Sequence, residues 1–76
     1  MIENKIAKYL YRDINALENA QTLGEALRLA DSITFWYSQL VAIECGDKYI
    51  NEVSKAVEFA HLFREKYVDG YVSAAI

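Results

Sequence analysis

Glu58-Phe59-Ala60-His61 sets a carboxylate and an imidazole three residues apart, and Glu65 follows one turn later. Residues at this spacing share a helix face, and Glu-x-x-His is how helical bundles present ligands to a pair of iron or manganese ions. The direction is wrong for that chemistry. Such ligands must point into a bundle core, whereas helical periodicity turns Glu58, His61 and Glu65 toward solvent or the helix edge. One His and one Cys also fall short of a four-ligand structural zinc set. No metal or cofactor is expected.

Cys45 is the only thiol. The pattern places it in the last turn of a helix, where the negative end of the helix dipole opposes thiolate formation. His61 has no evident nucleophile and orienting carboxylate to form a triad with. The chain is therefore read as non-enzymatic.

Two charges break apolar stripes, Glu44 and Arg64. They could snorkel to water or pair with one another, with Asp13 as a second partner for Arg64. Alternatively, Arg64 with Tyr49, Tyr67 and His61 could line a small anion-binding pocket at a subunit junction. Lys5, Lys8 and Arg12 form a basic ridge with Tyr9 and Tyr11 nearby. However, 8 basic against 11 acidic residues give a net charge of −3, which disfavours nucleic acid as a partner.

These residues need elements to hold them. With no proline and three glycines, few positions interrupt helical periodicity. Gly46 and Gly70 stand where helix C-caps would be, Asp47 can open the next helix, and Thr22-Leu23-Gly24-Glu25 reads as a capping box. The fold expected is all-α, one domain over residues 1–76 with helices at about 2–20, 23–45 and 48–69. Asn19-Ala20-Gln21 is no strong breaker, so the first two helices could also run together.

The first helix gathers Ile2, Ile6, Leu10, Ile14 and Leu17 on one stripe. The third gathers Tyr49, Val53, Ala56, Val57, Ala60, Phe63 and Tyr67. The second is apolar over an arc of roughly 200°, wider than one neighbour can cover, and includes the uncharged run of residues 32–43, SITFWYSQLVAI. It is expected at the centre, with Ile33, Trp36, Tyr37 and Leu40 in the core. Phe35, Phe59 and Leu62 fall among polar residues and have no home within the chain. If exposed together they would form an interaction patch. The apolar ending YVSAAI is expected to dock, with Tyr71 over the end of the third helix or with Tyr71 and Ile76 reaching a neighbouring subunit.

A chain of 76 residues buries only about 60% of its unfolded surface, and domains this small usually need a disulfide, a metal or a partner. Disulfide and metal being excluded, self-association remains, most simply as a two-fold dimer. Six Tyr, three Phe and one Trp suit interfaces, since tyrosine buries a ring and keeps its hydroxyl wet. The single thiol fits a reducing compartment. The charge-interrupted N-terminus lacks the apolar core of a signal peptide, and the apolar run is short of the roughly 20 residues of a membrane span. The expectation is a cytoplasmic, self-associating helical adaptor, regulator or inhibitor that binds another protein, of a kind phage and mobile elements commonly encode. The alternative is an oligomer holding a small anionic ligand such as a nucleotide at subunit junctions.

Overall fold

The computed structural model describes the backbone of residues 2–75 and the side chains of residues 2–63 and of Glu65. It is an all-α, three-helix unit: α1 (Ile2–Glu18), α2 (Leu23–Ala42), a single 3-10 turn (Gly46–Lys48) and α3 (Ile50–Ala75). Among the described residues no strand is present, and no helix is long and apolar enough to cross a membrane. The first two helices are separate. Asn19 and Ala20 donate their N–H groups to Ala16 and Leu17, three residues back, which tightens the end of α1. Thr22 is extended, and its hydroxyl accepts the Glu25 N–H at 3.2 Å, so the expected cap opens α2.

The next boundary differs from expectation. α2 stops at Ala42, and the left-handed residue that ends it is Glu44, φ 64°, two positions before the glycine expected there. Cys45 N–H bonds the Leu40 carbonyl at 2.8 Å and Glu44 N–H bonds that of Val41 at 2.9 Å, the two bonds of a Schellman cap. Gly46 is needed for space. A Cβ there would stand 2.7 Å from Val41 Cγ2, closer than non-bonded carbons approach. Asp47 lies inside the 3-10 turn, and the backbone of Tyr49 makes the handover. Its N–H bonds Gly46 and its carbonyl receives the N–H of Val53, so α3 begins at Ile50. At its other end α3 passes through Gly70 to Ala75. A glycine inside a helix costs about 1 kcal/mol relative to alanine, which weakens a helix without ending it, and Ala74 and Ala75 beyond it are strong helix formers.

α1 and α3 each pack on α2 more extensively than on one another, so α2 is central. Leu10, Leu17, Ile33 and Leu40 are fully buried, with Ile6, Ala7, Ala26, Tyr49, Val53, Ala56 and Ala60 around them. Trp36 and Tyr37 pack on this core while half-buried. Tyr9 meets Trp36 and Asp13 meets Ser32, an antiparallel register that brings Ile2 level with residue 43, past the end of α2. Ile2 is accordingly 65% exposed, despite belonging to the α1 stripe. Val57, expected in the core, is 45% exposed: α3 turns Ala56 and Ala60 inward, and Val57 falls on its flank. At about 1.5 Å per residue, the 26 residues of α3 extend about 39 Å, well beyond α1, and the molecule measures 52 × 17 × 14 Å.

Candidate functional site

Glu58, His61 and Glu65 are all exposed on α3. Glu58 and His61 line an open depression of about 510 Å3 with Val53, Ser54, Val57 and Leu62, all from one helix. Among the described residues, no three His, Cys, Asp or Glu side chains are grouped to hold a metal ion. Tyr49 immediately precedes α3 and His61 stands twelve residues further on, about 18 Å along the helix axis, so these two do not share a pocket within one chain. The side chains of Arg64, Tyr67 and Tyr71 lie outside the described residues, as does Ile76 altogether. Glu44 is exposed beyond the end of α2 and interrupts no buried stripe. Asp13 is 5% exposed; its carboxylate accepts from Ser32 Oγ and meets Arg12 Nε at 3.4 Å.

Among the described residues, a polar cluster centres on Glu3. Its carboxylate accepts the Tyr49 hydroxyl at 2.8 Å, the Cys45 thiol at 3.2 Å and Lys48 Nζ at 3.3 Å, which ties the start of α1 to the turn before α3. The bonds from Cys45, then Tyr49, then Lys48 favour the ionised form and hold Glu3 below the usual carboxylate range. The same carboxylate pushes its neutral donors the other way. Tyr49 rises to about 12 through its bond to Glu3, then burial, and Cys45 rises for the same reasons in the same order. The thiol is thus held as a donor. The cause lies in Glu3 and not in the helix dipole, since Cys45 lies past the end of α2. The heptad spacing of Glu3, Leu10 and Leu17 is the sequence signal for this cluster, because it puts Glu3 on the core stripe.

A second constellation follows the α1–α2 seam. The Tyr9 and Trp36 rings stack with centroids 5.0 Å apart and 20° between planes. The Arg12 guanidinium covers the Tyr9 ring at 4.8 Å, and Phe35 meets Trp36 edge-on at 5.0 Å and 75°. Trp36 Nε1 is buried without a hydrogen-bond partner. Tyr11 tilts against Tyr49 at 6.0 Å, and burial, then the charge of Glu52, raises its pKa. Both tyrosines beside the basic ridge are therefore engaged within the fold.

Phe35, Phe59 and Leu62 are 53%, 38% and 57% exposed, and they stand in different surroundings. Phe35 borders the α1–α2 seam. Phe59 borders a cleft of about 270 Å3 between α1 and α3 with Ile14, Leu17, Glu18, Glu52, Lys55 and Ala56, its ring 6.3 Å from that of Phe63. Leu62 shares the open depression with Val57. Beside these the structure exposes Leu27 and Val41 on α2 and Ile50 and Val57 on α3. Leu27, Thr34 and Val41 follow one another at heptad spacing, as do Ile50 and Val57, so each helix carries an apolar strip away from α1. No protein-family model, curated protein or solved structure matches the chain.

Proposed function

We propose that this chain is a non-enzymatic helical protein that self-associates, most simply as a two-fold dimer, and acts by binding another protein as an adaptor, regulator or inhibitor. The observation that supports this reading is the apolar α2–α3 flank of Leu27, Val41, Ile50, Val57 and Leu62, each between 39% and 57% exposed. The alternative, an anionic ligand held by Arg64, His61, Tyr49 and Tyr67, has less support, because the Tyr49 hydroxyl is already donated to Glu3.

Light scattering behind size exclusion tests the reading. Val57→Glu with Leu62→Glu adds charge to the flank without touching the buried core, so the scattering mass is expected to fall while the helical circular dichroism stays. An unchanged mass above that of a single chain would place the contact elsewhere, and a single-chain mass for the unaltered protein would remove the self-association.

A further inference from the structure

We infer that the α1–α2 seam, on the side of the bundle away from the apolar flank, is a docking surface for an acidic segment of a partner protein. The inference rests on the protein-binding reading above and names the chemistry of the partner. The seam is locally positive on an acidic chain. Lys5, Lys8 and Arg12 of α1 and Arg28 of α2 are all exposed, with Asp13, Glu25 and Asp31 as the acids nearest them. Four cations against three acids leave +1 on this face, and the net charge of −3 leaves −4 for the rest of the chain. Among the described residues Lys5, Lys8 and Arg28 have no acid partner. Asp13 is withdrawn from the surface, being buried under Ser32 and Arg12.

The register set by Tyr9 on Trp36 and Asp13 on Ser32 places these groups along one line. Arg28 is level with residue 17 of α1, so Lys5 and Arg28 bracket the seam about 18 Å apart. Phe35 lies between them, level with residue 10 and 53% exposed. The feature is an apolar anchor with positive charge at both ends. Its counterpart is a short segment with one large apolar side chain over Phe35 and carboxylates on either side, and charge complementarity sets the orientation and speeds encounter.

Single-stranded nucleic acid fits less well. It needs successive open ring faces on which successive bases stack, and this seam offers one. Tyr9 is covered by Arg12 on one side and Trp36 on the other, and the edge contact with Phe35 occupies part of Trp36. The charge of the remaining chain also opposes a long polyanion.

Trp36 is the only tryptophan and touches Phe35, so its emission reports on a ligand placed there. The probe is a synthetic peptide of about twelve residues with glutamates around a central phenylalanine. Its controls are the same peptide with lysine for glutamate, and oligothymidylate. The glutamate peptide is expected to change Trp36 emission saturably, with binding that weakens as salt rises. Lys5→Glu with Arg28→Glu should lower its affinity tenfold or more. Phe35→Ala should lower it as well, read by anisotropy of a labelled peptide, and all variants should keep their helical circular dichroism because the replaced side chains are exposed. Equal binding of the lysine peptide, tighter binding of oligothymidylate, or no saturable change up to about 1 mM peptide would each overturn the inference. None of these results bears on self-association, so the two readings fail separately.

Discussion

Replacing Glu44 by glycine should stabilise the protein, and the magnitude follows from one backbone angle. Glu44 is the only non-glycine with positive φ among the described residues, at 64°, and it supplies the left-handed position of the cap that ends α2. An L-residue there pays about 1–2 kcal/mol against its Cβ. Glycine removes that cost but widens the unfolded ensemble by about 0.4–1 kcal/mol. The expected net gain for Glu44→Gly is about 1 kcal/mol, which in a domain of this size raises Tm by about 4–8 °C. Thermal unfolding followed by circular dichroism measures it. A glutamate at a helix C-terminus also opposes the helix dipole, so Glu44→Gln separates charge from conformation: it should recover only a few tenths of the gain, whereas Glu44→Asn should recover more because asparagine tolerates the left-handed region. Gly46→Ala is the counterpart. Its methyl would meet Val41 Cγ2 at 2.7 Å, and crowding of this kind costs about 1–3 kcal/mol. A loss of stability in Glu44→Gly, or a neutral Gly46→Ala, would refute the assignment of conformational need to Glu44 and of space to Gly46.

The seam separates two adjacent aromatics: Trp36→Ala should cost about 3–5 kcal/mol, close to the whole stability of a small domain, whereas Phe35→Ala should leave the helical circular dichroism intact, and the reverse outcome would mean that α2 is rotated. The lowered pKa of Glu3 stabilises the fold above the unfolded carboxylate value near 4.3 and is lost as pH falls through the lower folded value; denaturant titrations from pH 6 to pH 2 should therefore show Glu3→Gln losing less stability on acidification than the unaltered protein. Tyr49 has the opposite sign. Its folded pKa of about 12 lies above the unfolded value near 10, so the stabilisation is present below pH 10 and lost as pH rises toward 12, a loss that Tyr49→Phe should abolish. Cys45 should react with disulfide reagents more slowly at pH 8 than a free cysteine, and Glu3→Gln should speed it.

Much of the architecture follows from periodicity and caps. A wide apolar arc puts α2 at the centre, and Thr22 three residues before Glu25 opens it as expected. The misplaced boundaries share a cause: glycine marks a helix end only when the backbone there needs a left-handed residue. Glu44 takes that role although its type gives no hint of it, Gly46 answers to a clash with Val41, and Gly70 is carried inside α3. The Glu3 cluster was missed: the heptad of Glu3, Leu10 and Leu17 sets Glu3 beside the core stripe, but its donors Cys45, Lys48 and Tyr49 come from a turn whose path no local pattern records. Phe35, Phe59 and Leu62 were legible as exposed one at a time, whereas Val57 and Ile2 were expected on core stripes. The grouping of the exposed residues was not legible, because it depends on which flank of α3 meets α2: that choice exposes Val57 and moves Phe35 away from Leu62. Arg28 joins the basic ridge only through the antiparallel register of α1 and α2, so helix-by-helix reading leaves the ridge with three cations.

Sedimentation equilibrium over the micromolar range tests most directly whether the apolar α2–α3 flank is covered by another copy. The weight-average mass is expected to rise with concentration above 8.7 kDa toward a multiple of it, and to return to the single-chain value in the variant carrying glutamate at positions 57 and 62. A mass that stays near 8.7 kDa at every concentration for the unaltered chain would contradict self-association.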